Sequence, residues 1–224
     1  MPRDTKTSVA PMTEPVNARR EYYISAAECK AGKHYLRFKR LSDILLAAIL
    51  LLVLIVPMVI LGIMVYFTSK GPAIFRQERL GLNGKSFLLL KFRSMRVDAE
   101  KDGPCWAKDD DERCTKFGRF LRKTRLDELP QLWNILMGDM SFVGPRPERP
   151  VFYEEFETYI HGFKYRLAAK PGLTGWAQVN GGYDLLPEEK IVYDMEYIQA
   201  CSFCMDLKCM LMSFRVVLTQ KGAR

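Results

Sequence analysis

Histidine is scarce in this 224-residue chain: only His34 and His161 occur, too far apart to read as a ligand pair. The six cysteines (29, 105, 114, 201, 204 and 209) offer one ligand-like spacing, Cys201-Ser-Phe-Cys204, with Cys209 its nearest companion. That argues against structural zinc and for reduced, cytosol-facing thiols. No secretory signal pattern is seen, since the one long apolar run begins only at Ile44. The acidic stretch 97–114 lacks the D-x-D-x-D-G spacing of a calcium loop, so it reads as a solvated excursion. Low-complexity sequence is missing beyond a polar tail, residues 1–33, with Pro2, Pro11 and Pro15. This tail is expected to be mobile, ending in a short helix around Tyr22–Lys30. The most telling absence is charge: Ile44–Phe67 has none in twenty-four residues.

As a straight helix that run measures about 36 Å, enough to cross the hydrocarbon core of a bilayer. A soluble core helix this apolar on every face would be unusual, so the segment is expected in a membrane. Both of its flanks are basic. Lys33, His34, Arg37, Lys39 and Arg40 precede it, and Lys70, Arg76, Arg79, Lys85, Lys91, Arg93 and Arg96 follow. The positive-inside rule then gives no asymmetry, and both flanks favour the cytoplasmic side. A helix broken at Pro57 that enters and leaves one leaflet satisfies both; a straight span is the alternative. The whole chain is also basic, with a net charge of +8 and a pI near 9.2. Its partners should therefore be anionic: phosphorylated substrates, acidic headgroups or nucleic acid.

The chemistry concentrates in Arg122-Lys-Thr-Arg-Leu-Asp-Glu-Leu-Pro-Gln131. Two adjacent carboxylates, Asp127 and Glu128, follow three cations and precede a proline and a short apolar helix, Leu129–Met137. A helix N-terminus favours negative charge, and its free N–H groups can also hold a phosphate. Neighbouring arginines should lower the Asp127 pKa and leave it ionised, able to attack or to bind metal. A capped helix with solvated charges would look the same locally.

Upstream, Ala73–Arg79 and Ser86–Phe92 read as a hairpin around Gly81-Leu-Asn-Gly84. Lys91 and Arg93, at i and i+2, are expected on one face, where they would bracket a diphosphate. Thr115–Thr124 reads as a helix with Thr115 as N-cap. Downstream, Pro145 and Pro147 fix the backbone around Arg146 and aim its guanidinium, a geometry suited to phosphate. Val151–Leu167 is aromatic-rich and suits a core or a membrane interface. Lys170–Gly182 reads as a turn-rich loop whose amides, Gln178 among them, suit base or sugar recognition. Pro187–Gln199 and Phe203–Leu218 read as helices, the apolar face of the second expected chiefly against the domain.

Taken together these stretches resemble the bacterial sugar transferase family, the monotopic polyprenyl-phosphate phosphoglycosyl transferases. The resemblance is carried by Lys39-Arg-Leu-Ser-Asp43, Phe75–Gly84, Lys91-Phe-Arg-Ser-Met95, Leu126–Gln131, Gly138–Pro147 and Lys170–Asn180, in order. It implies an α+β, mostly helical fold with a re-entrant membrane helix (34–70) and a small cytoplasmic catalytic domain (71–224). That domain would carry a short β-hairpin and interfacial amphipathic helices. It also implies transfer of a sugar-1-phosphate from a UDP-sugar to undecaprenyl phosphate at the cytoplasmic membrane. The route would pass through a phosphosugar-aspartate and release UMP. Asp127 would be the nucleophile, Glu128 its partner on Mg²⁺, Arg122 a phosphate contact and Arg146 a wall of the site. The Gly181–Lys190 stretch resembles transferases that use UDP-galactose or UDP-glucose. Arg125 departs from the serine that relatives often carry there, and no role is assigned to it.

Two other readings compete: a lipid-phosphate phosphatase using the same aspartyl chemistry, and a non-catalytic basic adaptor at the membrane. Nucleic acid is disfavoured, because the cations cluster beside carboxylates and no helix bears a basic stripe interleaved with aromatics. The apolar helices suit lipid and a second copy, as a homodimer, equally well.

Overall fold

In the computed structural model, the described residues are 20–26, 29, 31–69, 71–101, 103, 111–181 and 185–219, with backbone alone for 217–219. The expectation of a mobile tail over residues 1–19 lies outside them. The apolar run and the basic residues before it form one helix, α1 (Lys33–Thr68), so the collar is its first turns. The helix is long and apolar enough to cross a membrane. It does not stop at Pro57: helical structure continues to Thr68, although Pro57 has no N–H to offer the preceding turn.

Residues 20–26 correct one expectation. Instead of a helix, Tyr22–Tyr23 form a short strand, β1, which pairs in parallel with Ile160–His161 (β5). Tyr22 and Ile24 pack on the core there, and Cys29 lies 2.6 Å from Cys201, sulfur to sulfur. The expected hairpin forms, β2 (Ile74–Leu80) pairing antiparallel with β3 (Ser86–Phe92). Its turn places Asn83 and Gly84 in the left-handed region. Helix α2 (Lys116–Lys123) starts where Thr115 Oγ1 accepts from the Gly118 N–H at 2.9 Å. A 3₁₀ turn, Leu126–Glu128, leads to α3 (Gln131–Met137).

The turn-rich reading of Lys170–Gly182 is also corrected. Gly172–Thr174 is a strand, β6, parallel to Ser141–Val143 (β4), and Trp176–Gly181 is a helix, α5. Glycine is required at this contact, since a Cβ on Gly172 would lie 2.1 Å from the Gly144 nitrogen. Helices α4 (Pro150–Glu157), α6 (Pro187–Ala200) and α7 (Phe203–Thr219) complete the chain. The aromatic stretch in and after α4 is core, with Tyr153, Phe156, Ile160 and Phe163 buried against Ile191 and Ile198 of α6.

Helix α1 lies along this domain over most of its length. Asp43 accepts hydrogen bonds from Ser141 Oγ and the Phe142 N–H, and Arg40 donates to the Ile135 and Leu136 carbonyls at the end of α3. Farther on, Ala47, Leu50 and Leu54 meet Leu132 and Ile135, and Met58, Leu61 and Val65 meet Phe92 and Leu121. These residues recur at helical spacing and form one stripe. The opposite face, including Leu52, Val53, Val56, Val59, Ile60 and Phe67, is exposed.

The apolar face of α7 is likewise turned outward, against the expectation that it packs on the domain. Phe203, Leu207, Leu211 and Phe214 are exposed, and it is Asp206 and Cys209 that are buried. Asp206 explains this orientation. It accepts from Tyr35 and Tyr197 and pairs with Lys39, so a polar network holds α7 against α1.

Candidate active site

The 3₁₀ turn before α3 is set by Arg125, whose backbone is left-handed (φ 58°) and whose carbonyl accepts the Glu128 N–H. This turn swings Asp127 and Glu128 inward, and both are about 6% exposed. The neighbouring strand β3 supplies Lys91, its Nζ 3.2 Å from Glu128 Oε1 and 3.8 Å from Asp127 Oδ2. The loop after β4 supplies Arg146, which donates to Glu128 Oε1 at 2.6 Å. Two carboxylates and two cations thus meet from three separate segments.

Asn134 of α3 fixes this register, and sequence reasoning missed it. Its side-chain amide accepts from the Leu90 N–H (3.0 Å) and donates to the Leu88 carbonyl (2.8 Å). It therefore acts as one more strand partner for β3 and holds α3, with the turn before it, beside Lys91. An amide four residues after a helix-starting proline was the only signal.

The Pro145-Arg146-Pro147 turn is held by a buried ionic network. Arg166 Nη2 donates to the Arg146 carbonyl at 2.9 Å, and Arg79 Nη1 to the Pro147 carbonyl at 2.9 Å. The Pro145 carbonyl accepts the Gly172 N–H. Glu148 pairs with Arg79 and Lys190, and Arg166 with Asp194 at 2.6 Å. Burial would raise the Glu148 carboxyl, but Lys190 and Arg79 outweigh it and hold it down at about 2.

The other expected site residues separate. Arg122 sends Nη1 to Cys114 Sγ at 3.1 Å, while its charge is still felt at Asp127. Gln178 is buried beside a cleft that also reaches Glu128; its Nε2 donates to the Leu173 carbonyl and its Oε1 has no hydrogen-bond partner. Arg93 does not bracket a diphosphate with Lys91, which corrects that expectation. Strand β3 ends at Phe92, and the Arg93 guanidinium turns to Ser69 Oγ and the Ser69 and Gly71 carbonyls. There it ties down the end of α1.

The expected low pKa of Asp127 is also corrected. Burial is the largest influence and raises it, Lys91 offsets only part, and Glu128 adds to the rise. At Glu128 the same burial is overcome by Arg146 and Lys91, which hold that carboxyl well below the usual range. The two neighbouring carboxyls are therefore pushed in opposite directions, Asp127 up by burial and Glu128 down by its cations.

Such a pair could accept a divalent cation. Among the described residues no group of three metal-ligating side chains occurs. Mg²⁺, however, is ordinarily bound by one or two carboxylates plus water and substrate phosphates. An adjacent Asp and Glu, one of them raised by burial, supply such a donor set.

The site is thus a buried carboxylate pair met by two cations, in a chain whose first helix is long and apolar enough to cross a membrane, and the comparisons place it in a family. The family model for the bacterial sugar transferases matches residues 34–220. The chain belongs to that family, which is a family of enzymes. It is 51% identical over 135 residues to a Bacillus subtilis (strain 168) protein provisionally named an undecaprenyl-phosphate N-acetylgalactosaminyl 1-phosphate transferase, covering 60% of this chain and 75% of that one. It is 44% identical over 181 residues to the UDP-glucose:undecaprenyl-phosphate glucose-1-phosphate transferase of Klebsiella pneumoniae, covering 79% of this chain and 39% of that one. It is 43% identical over 188 residues to Galactosyl transferase CpsE of Streptococcus agalactiae serotype III (strain NEM316), covering 76% and 41%. The chain thus spans less than half the length of the last two.

Proposed function

We propose that this chain transfers a sugar-1-phosphate from a UDP-sugar to undecaprenyl phosphate. The observation that carries the proposal is the buried Asp127–Glu128 pair flanked by Lys91 and Arg146 in a chain of this family. An Asp127 oxygen attacks the sugar-bearing phosphorus of the donor; the bond to the bridging oxygen breaks and UMP leaves. A phosphate oxygen of undecaprenyl phosphate then attacks the same phosphorus, releasing Asp127 and forming undecaprenyl-diphosphate-sugar. Lys91 and Arg146 offset the charge that gathers on the transferred group, and Arg122 adds to the field at Asp127. Mg²⁺, held by Asp127 and Glu128, would supply the remaining positive charge against the diphosphate oxygens. Glucose and galactose are the favoured sugars, in line with the names of the Klebsiella and Streptococcus relatives. The product would open a capsule, exopolysaccharide or glycoconjugate pathway.

Helix α1 is read as re-entrant, with the domain on the cytoplasmic side of the inner membrane. The support is its contact stripe: residues near both ends, Asp43 and Val65, touch the same domain, which a straight span would carry to opposite faces. The outward residues of α1 and α7 would lie in the leaflet.

The test is UMP release from UDP-glucose, UDP-galactose and UDP-N-acetylgalactosamine with Mg²⁺, with and without undecaprenyl phosphate, for wild type and Asp127→Asn. Sustained release that needs acceptor and metal and disappears in the variant is expected. Sustained release without acceptor would indicate a phosphatase, and unaltered turnover in Asp127→Asn would remove the aspartate from the reaction.

A further inference from the structure

A cleft of about 380 Å³ lies between α1 and α7 and reaches Glu128, a volume typical of a small-ligand site. Leu50 and Leu54 of α1 form one wall, and Met210 and Phe214 of α7 form another. Both walls continue into apolar outer surface: Leu52 and Val53 beside the first, Leu211 beside the second, with Phe214 itself 72% exposed. At the other end the lining turns charged, with Arg125 and Glu128. The cleft is thus apolar where it meets the membrane-facing helices and ionic where it meets the chemistry.

That polarity selects an occupant. The uridine or sugar of the donor would bring many hydroxyl and carbonyl groups, and the apolar walls have little to pair with them. Thr174 and Ser213, which also line the cleft, hydrogen-bond to each other, and Ser213 donates to the Cys209 carbonyl. Gln178 Oε1 is the one buried polar atom of this lining without a partner. That atom offers a single acceptor, too little to match the many hydroxyl and amide groups of a sugar or uridine. A hydrocarbon with a single anionic head matches both ends.

Resting on the transferase reading, we infer that this cleft holds the isoprene units adjoining the acceptor's phosphate, and that Arg125 is the cation that meets that phosphate. Arg125 has the placement for this role. Its left-handed backbone, unusual for a residue with a side chain, sets it at the head of the turn that carries Asp127 and Glu128. The tail then approaches between α1 and α7, while Lys91 and Arg146 approach the carboxylates from β3 and the proline-flanked turn.

The direct test is photoaffinity labelling of the full chain in lipid nanodiscs with a polyprenyl phosphate carrying a diazirine on an isoprene unit near the phosphate. Labelling of peptides containing Leu173–Val179 and Met210–Phe214, suppressed by excess undecaprenyl phosphate but not by phosphatidylglycerol, is expected. Label confined to the outward residues of α1, or equal suppression by phosphatidylglycerol, would overturn the assignment. Kinetics give a second reading through Arg125→Asn, chosen because Asn tolerates the left-handed backbone, and Met210→Trp, which narrows the cleft. Each should raise the KM for acceptor about tenfold or more, Arg125→Asn by the scale of one lost charged hydrogen bond and Met210→Trp by obstructing the tail. The single UMP released per enzyme from donor alone should persist in Met210→Trp. Loss of that release in wild type would overturn the transferase reading while the labelling still decides the cleft. Intact release with an unmoved acceptor KM in both variants would overturn the cleft alone.

Discussion

Glu128 is a buried carboxylate whose charge is shared with two cations, Lys91 and Arg146. Removing one leaves a buried carboxylate half compensated, so Arg146→Ala should lower kcat/KM by about 10²- to 10³-fold, the usual scale for one electrostatic donor at a charged transition state. Steady-state transfer assays check this, and a loss under about threefold would show that Arg146 is dispensable. Glu148, behind the same turn, carries a pH prediction. Its folded pKa of about 2 lies below the ordinary 4.5, so its stabilisation is complete above 4.5 and is lost as pH falls from 4.5 towards 2. Chemical denaturation across that window should show a steeper decline for wild type than for Glu148→Gln; parallel declines would contradict it. At this scale the sequence was most legible where charge is local. Adjacent carboxylates and a proline-flanked arginine mark themselves, and Lys91 lies beside the carboxylates, although without the Arg93 expected next to it. Arg93 was misread because the two-residue period holds only inside a strand, and β3 ends one residue earlier. The Asp127 pKa was misread because sequence displays neighbouring charges but not burial, which is the largest influence on it.

Among elements, the α3–β3 contact governs the site, and its key is one amide. Asn134→Leu would strand the Leu90 N–H and the Leu88 carbonyl, and should lower unfolding stability by about 2 to 4 kcal/mol. Lys91 would lose its register at the same time, so activity should fall further than stability alone requires. A change under about 0.5 kcal/mol in denaturant titrations would show that β3 does not depend on this amide. Helices with strong periodicity, α2, α6 and α7, were readable in advance, as was the hairpin from its Gly-Leu-Asn-Gly turn. The β4–β6 pair was not, since parallel pairing joins segments about thirty residues apart with no local signature. The direction of the α7 face was also hidden. Periodicity shows that a face is apolar, whereas the buried Asp206 network decides which way it turns.

For the whole molecule, the consequence of the α1 stripe is a topology. Cysteines introduced at His34 and Thr68, near opposite ends of α1, should react with a membrane-impermeant maleimide from the same side, the cytoplasmic one. Inverted vesicles and spheroplasts, with labelled peptides located by mass spectrometry, distinguish this from a span; labelling from opposite sides would contradict the re-entrant reading. The length and apolarity of α1 were plain from twenty-four uncharged residues, but its length of contact with the domain was visible only in three dimensions. The central claim is that Asp127 carries the sugar phosphate between donor and acceptor, and intact-mass measurement of the enzyme after incubation with UDP-sugar and Mg²⁺, without acceptor, tests it most directly. A gain of one sugar-phosphate, mapped to the peptide containing Asp127 and discharged on adding undecaprenyl phosphate, is the predicted result. Transfer that turns over while the mass never changes, or an adduct on a different residue, would contradict it.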